Sequence, residues 1–408
     1  MIVWYNKMIL CRLKQLGGLP KQSEVAGTKK LLPHVKEFFR RADMLLLAMS
    51  LVSAFYGLVV IWSATQHYDN PAQFVIIQGL AIVIGVVAYV IVTIIDLDIF
   101  AEHWKWLYAA SALLFVLLIF FGQGDETTGN NGWLRFAGIG IQPTEIIKLA
   151  FIIVMAKHMV YLKTRRDLNS FLSVAQLAGH FIVMFGVIIV TSSDLGSALV
   201  YFFIFAVMMF MVGVRIYWFI LGFAAIAAMI PIAWTYFLQD YQKQRILAPY
   251  DPSIDPNNEG VNWQQHQAEV ALGSGGLTGT GLGEGTQTQS GSIPSQHTDF
   301  IFAVIGEELG MIGACLVLVL LVAIVIRCIQ VGLRSGDTLS ALVCFGVAAS
   351  VVFQTFENVG MCIGIAPVVG ITLPFFSYGG SSVVSMFAAM GLVSGVRYRP
   401  KLVKYRLY

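Results

Sequence analysis

The sequence predicts an all-α polytopic membrane protein of about ten transmembrane helices, with both termini cytoplasmic and a large outer loop between helices 7 and 8. Composition is the first observation behind this: of 408 residues, 57% are hydrophobic and 12% charged, with a mean hydropathy of +0.75. Soluble globular domains carry about twice that charge. The second is a set of ten apolar runs, each long enough to cross about 30 Å of hydrocarbon: 44–64, 74–95, 106–122, 144–162, 172–192, 195–213, 216–237, 300–326, 339–359 and 380–396. An even number of crossings leaves both termini on one side.

Lysine and arginine choose that side, because cytoplasmic loops carry the positive excess. Nine fall before residue 44, five after Val396, four at Lys157, Lys163, Arg165 and Arg166, and four more at Lys105, Arg215, Arg327 and Arg334. The four exceptions, Arg135, Lys148, Lys243 and Arg245, face outward or lie near the outer face. The net charge of +3 therefore reports orientation and is no argument for a nucleic-acid partner. The chain divides into a basic cytoplasmic extension (1–43), a ten-helix membrane domain (44–396, outer loop 238–299) and a short basic cytoplasmic tail (397–408). The extension lacks the apolar core and small-residue cleavage site of a signal peptide and suits anionic headgroups of membrane lipids.

Three outer segments interrupt the helices. Residues 122–143 contain "GNNGWLRFAGIGIQPTE". Residues 238–299 form a loop without obvious core-forming periodicity, and a loop that long is usually functional or disordered. Residues 358–380, "NVGMCIGIAPVVGITLPFFSYGG", are apolar yet broken by Pro367, Pro374 and paired glycines, the pattern of backbone dipping into a membrane while lining a cavity. The stretch "GSGGLTGTGLGEGTQTQSGS" matches neither phosphate-binding glycine motif and reads as a flexible or tightly turning outer loop. No internal repeat is visible. The five cysteines, Cys11, Cys315, Cys328, Cys344 and Cys362, have no CxxC spacing and imply neither disulfide nor metal.

Ionisable residues in or beside membrane helices are costly and become functional candidates unless a cap or ion pair explains them. Asp299, after His297 and Thr298, opens the eighth run. A helix cap and a catalytic acid both stay open, and the small residues Ala303, Gly306 and Gly310 on the same helix face would leave room beneath it. Glu307 and Glu308 lie about 12 Å deeper by helix rise and read as polar packing or as partners of buried cations. In "QPTEIIK", Pro143 fits a helix start, and Glu145 and Lys148 share a face. Lys148, Arg245 and Lys243 are candidates to hold a phosphate. Asp194 reads as an N-cap first and a site residue second, and His180 as a hydrogen-bonded interior histidine. No His, Cys or Asp cluster has metal-ligand spacing.

The segments "GWLRFAGIGIQPTEIIK", "SDLGSALV", "ALGSGGLTGTGLGEGTQTQ…IPSQHTDFIFAVIGEELGMIG" and "NVGMCIGIAPVVGITLPFFSYGGSS" resemble, in order from about Ala42 to Arg397, the signatures of the shape, elongation, division and sporulation (SEDS) family. "GTQTQ" and "FQTFENVGMCIGIAPVVG" sit closer to its rod-shape branch than to its division branch. The resemblance implies a ten-helix fold and a peptidoglycan glycosyltransferase that polymerises lipid II at the outer face of the bacterial cytoplasmic membrane, for elongation and rod shape. It places the catalytic aspartate at Asp299 and a substrate-binding set at Gln142, Glu145, Lys148 and Asp194, to which His297, Arg245 and Lys243 are added. Thr144 stands where the family often has Ser, and Ser193 where it usually has Pro. The implied partners are lipid II, the nascent glycan and a class B penicillin-binding protein.

Joining two lipid-linked sugars expels undecaprenyl diphosphate, which leaves without acid help. One carboxylate acting as general base with inversion, plus positive charge on the phosphates, should therefore suffice. The sequence leaves open whether a divalent cation, magnesium or manganese, shares the phosphate role. Two rival readings are a lipid II flippase, kept alive by Glu307, Glu308, Glu357 and His180, and a scaffold that activates the penicillin-binding protein.

Overall fold

The computed structural model describes residues 31–125, 130–136, 139–236, 238–251 and 253–399. Cys11 and most of the basic extension and tail lie outside them. The chain forms two compact units, Met1–Arg40 and Arg41–Tyr408. Helix α1 (Leu31–Arg41) begins in the first, where Phe38 and Phe39 meet edge to face.

In the second unit, apolar composition and length produce the helices where the sequence places them. They are α2 (Met44–Ala64), α3 (Pro71–Ile94), the short α4 (Leu97–Glu102), α5 (Trp104–Phe121), α6 (Pro143–Arg165), α7 (Phe171–Ser192), α8 (Leu195–Val212) and α9 (Ile216–Tyr236). After the long loop come α13 (Ile301–Leu333), α14 (Thr338–Cys362) and α15 (Gly380–Tyr398). Caps set several starts: Asp43, Asp96, Ser170, Asp194 and Asp337 each accept a backbone N–H of their own first turn, and Pro opens α3 and α6. Nine of the described helices are long and apolar enough to cross a membrane, so this is a multi-pass membrane protein. The remaining predicted run, 144–162, corresponds to α6, which has the length but carries Glu145, Lys148, Lys157, Lys163 and Arg165.

α15 packs along α3 at close range, with Gly391 against the backbone of Tyr89, where an added Cβ would lie 2.8 Å from the Tyr89 carbonyl oxygen. α13 packs on α14, and α14 on α8. At the start of α2, fully buried Asp43 pairs with Arg327 of α13 (2.9 Å) and Arg397 of α15 (3.1 Å), tying three helices together. Between α5 and α6 the chain forms an antiparallel sheet of β1 (Gln123–Asp125), β2 (Asn130–Phe136) and β3 (Ile139–Ile141), a small addition to an otherwise helical protein that the sequence reading did not foresee.

The loop 238–299 departs furthest from expectation. It contains α10 (Asp240–Leu247), α11 (Trp263–Ser274) and the four-residue α12 (Thr286–Gln289). α11 buries Gln265, Ala268 and Ala271, a helical stripe too small and polar to register as core periodicity. The glycine-rich stretch turns tightly and docks into a break in α13. There Gly310 adopts φ 67°, ψ −168°, conformational space essentially reserved for glycine. Main-chain groups of the loop replace the lost helix bonds: Met311 and Ile312 donate to the carbonyls of Gly276 and Leu277, while Thr280 and Gly281 donate to those of Glu307 and Glu308.

This docking corrects one expectation and decides between two readings of another. The small face of Asp299, Ala303, Gly306 and Gly310 is filled by the protein itself, with Leu272 against Gly306 and Gly279 against Gly310. Glu307 and Glu308 have no cation partner among the described residues. Glu307 accepts from the Gln287 and Thr288 amides and the Thr288 hydroxyl, and Glu308 from Ser63 and Gln289. Donors from α12 and Ser63 of α2 thus make this pair polar packing.

Candidate functional site

Two non-helical segments meet at one end of the bundle. Residues 295–299 precede α13, and residues 364–379 run from α14 to α15. Their backbones are stitched together: Tyr378 N–H donates to the His297 carbonyl (2.8 Å), Ser377 Oγ to that of Thr298 (2.6 Å), and Asn358 Nδ2 to those of Asp299 and Ile371 (2.7 Å each). The predicted cavity-lining role of 358–380 is thus met, since Pro367 to Thr372 form one wall of a cavity of about 450 Å³. Asp299, Asp194, Glu145, Gln142, His297 and Arg245 open onto the same space, together with Trp133, Arg135 and Gln354.

Asp299 is half-buried and is not a helix cap: the cap position of α13 is Phe300, with no side-chain cap bond. Burial, and then the neighbouring Asp194, push its carboxyl up to about 6, against the opposing pull of Arg245 and of a hydrogen bond from Thr298. Asp194 caps α8, accepting from Ser197 N (2.8 Å) and Ser197 Oγ (2.7 Å), and receives Gln142 Nε2 at 3.1 Å. Burial raises its pKa as well. Before it, Ser193 sits at φ 53°, a left-handed turn that proline's ring forbids. The family's usual Pro would need a different turn here, while the acid still reaches the cavity.

Glu145 and Lys148 form the expected ion pair (2.8 Å), but Lys148 is 2% exposed and does not line the cavity. It also donates to Gln354 Oε1 (3.3 Å), while Gln354 Nε2 and Ser385 Oγ donate to Glu145. Three helices thus close a buried polar ring whose cavity-facing members are Glu145 and Gln354. Lys243 pairs with Asp240 (3.3 Å) and stands off the cavity wall, whereas Arg245 two positions on faces it and has no hydrogen bond or ion pair among the described residues. The expectation that Lys148 and Lys243 would meet a phosphate directly is therefore corrected: each already spends its charge on a carboxylate one helical turn away.

His297 packs among Tyr68, Phe74 and Tyr378, and its Nδ1 is buried without a partner. Burial, with a smaller contribution from His67, lowers its pKa to about 4, so it faces the cavity as neutral imidazole. His180 bonds to Tyr108 and to His158 (Nδ1 to Nδ1, 3.2 Å), as an interior histidine should. Among the described residues no three His, Cys, Asp or Glu side chains gather as metal ligands would. As site residues, Trp133, Arg135, Gln354 and Asn358 were missed, Arg135 having been read only as an outward-facing cation. Alternation along β2 carried a signal for the first two, since Trp133 and Arg135 share one strand face while Leu134 between them is buried.

The cell cycle protein family of FtsW, RodA and SpoVE matches residues 43–401. A probable peptidoglycan glycosyltransferase FtsW of Geobacter metallireducens is 33% identical over 372 residues, 88% of this chain and 96% of that protein. The peptidoglycan glycosyltransferase MrdB of Escherichia coli is 32% identical over 91% of this chain and 98% of its own length. Among solved structures, the rod shape determining protein RodA of Thermus thermophilus aligns at a TM-score of 0.64 and 25% identity, covering 87% of this chain and 96% of that one. A chain of a peptidoglycan synthase complex that coordinates polymerization and crosslinking aligns at 0.74 and 26%, covering 87% and 97%. The similarity spans both the FtsW and the RodA names.

Proposed function

The chain belongs to the FtsW/RodA/SpoVE family of cell cycle proteins, and from that premise we propose that it is a peptidoglycan glycosyltransferase that polymerises lipid II at the outer face of the bacterial cytoplasmic membrane. The observation that carries this reading is the cavity itself, lined by a half-buried aspartate of raised pKa, Asp299, and by Arg245, which has no ion pair among the described residues.

In the proposed reaction Asp299, ionised, takes the proton from the 4-hydroxyl of an acceptor GlcNAc as its oxygen attacks the anomeric carbon of a lipid-linked MurNAc. The glycosidic bond forms as the bond to undecaprenyl diphosphate breaks, with inversion at the carbon. A base works best with a pKa near the operating pH, and burial beside Asp194 moves Asp299 in that direction. Arg245 keeps enough of it ionised and offers positive charge to phosphates entering the cavity. Lys148 acts behind the wall, holding Glu145 and Gln354 in place. Asp194 and Gln142 shape the floor, and neutral His297 offers a polar edge beside the base. A magnesium or manganese ion on the phosphates would add to Arg245's charge without changing the base. The role in elongation and rod shape, and a class B penicillin-binding partner, complete the proposal; the partner draws support from the synthase complex among the structural relatives.

The test is polymerisation of purified lipid II by the full-length protein with its cognate penicillin-binding protein, wild type against Asp299→Asn. Glycan chains from wild type and a loss of at least about 10³-fold in the variant are expected, the scale on which such groups contribute. An active Asp299→Asn enzyme sinks the base assignment. A wild type without glycan product but moving lipid II between leaflets would favour the flippase reading.

A further inference from the structure

The geometry points to Arg135 as the residue that takes the charge of the departing diphosphate. This rests on the glycosyltransferase reading and extends it to a side chain outside the set derived from sequence. β2 presents Trp133 and Arg135 on one face toward the cavity, while buried Leu134 anchors the strand on the other. Arg135 stands across from Gly140 in the β2–β3 register, so no cross-strand side chain covers it. It is exposed and has no hydrogen bond or ion pair among the described residues. A guanidinium facing a cavity with no partner among the described residues is suited to bidentate contact with phosphate oxygens.

Inversion decides which cation does which work. The attacking oxygen, the anomeric carbon and the leaving oxygen lie roughly in line, so the base stands on one side of the sugar ring and the leaving diphosphate on the other. Arg245 on α10 lines the same cavity as Asp299 and its charge acts on that carboxyl, so in this assignment it serves the base. Arg135 enters from a different wall, the hairpin packed on α5, α6 and α7. A donor sugar seated between Asp299 and that hairpin would direct its diphosphate toward Arg135. The bond from the anomeric carbon to the phosphate oxygen breaks with its electron pair on that oxygen, and Arg135 meets the growing charge there.

Steady-state polymerisation of purified lipid II by the full-length protein with its penicillin-binding partner, followed from pH 5 to 9, tests this with Arg135→Gln, Arg135→Lys and Arg245→Gln beside wild type. Arg135→Gln should lose about 100-fold in kcat, the usual effect of removing one transition-state donor, with the acidic limb of the pH profile unmoved. Arg135→Lys should restore at least a tenth of wild-type kcat. Arg245→Gln should move the acidic limb to higher pH. A fall in kcat under tenfold for Arg135→Gln overturns the assignment, as does a lysine variant no better than glutamine, or an Arg135→Gln profile displaced like that of Arg245→Gln. Wild type without glycan product would instead remove the glycosyltransferase reading on which the assignment rests.

Discussion

Asp299 carries its negative charge at a cost, and the cost has a sign that can be measured. Its native pKa of about 6 lies above the 3.8 of a free aspartate, so the folded protein binds this proton more tightly than the unfolded chain. Stability from this group is therefore complete below about 4 and declines as pH rises through 6. Asp299→Asn removes the carboxylate and its penalty. We expect the variant to be more heat-stable than wild type at pH 7.5 in detergent, with the gap closing as pH falls from 6 toward 4, while polymerisation by wild type falls over the same range. A variant less stable at every pH would mean that Asp299 makes structural bonds its surroundings do not suggest. The acid was legible in the sequence because its position beside an apolar run is expensive. The fate of Lys148 was not: its spacing from Glu145 foretold the ion pair, but Gln354 and Ser385, some two hundred residues away, decide that the pair's lysine faces inward. Arg135 was legible as an outward-facing cation but not as a site residue, because a strand of seven residues offers little pattern.

At the scale of elements, the ten runs were legible because length and apolarity alone specify a crossing, and the observed helices begin and end within a few residues of them, apart from the extended end of α13. The docking of the glycine-rich loop was not, because its bonds at the break in α13 are made by backbone and many of its residues are glycine. Its docking makes the half-helix Ile301–Leu309, with Asp299 just before it, depend on the joint at Gly310. Gly310→Ala should expose this dependence. The conformation at φ 67°, ψ −168° is closed to alanine, and a Cβ there would lie 2.3 Å from Gly279 N. A loss of about 1–3 kcal/mol is expected for the backbone alone, read as a lower thermal midpoint together with new protease cleavage between residues 273 and 285. Gly222→Ala in α9, where an added Cβ meets nothing within 4 Å, is the matched comparison and should leave both readings unchanged. Cleavage that appears equally in both variants would detach the loop's stability from the joint.

For the whole molecule, the question is which way it sits in the membrane, because a polymerase of lipid-linked sugars needs its cavity on the outer side. The helix ends with positive charge and the helix ends around the cavity are opposite ones. Asp43, with Arg327 and Arg397, starts α2, and the other end of that helix receives Gln296 of the Asp299 segment through the Ala64 carbonyl (2.7 Å), about 30 Å away by helix rise. Positive residues concentrate at the Asp43 end, so the positive-inside rule supports the proposed orientation, with the cavity outward. Cysteines introduced singly at the exposed positions Glu259 and Thr164, in a cysteine-free background, test this with a membrane-impermeant maleimide. Glu259→Cys should label in spheroplasts left intact, and Thr164→Cys only after the membrane is opened. The reverse pattern would place Asp299 on the cytoplasmic side, away from the growing glycan of the proposed reaction, and the outward-facing polymerase would fall with it.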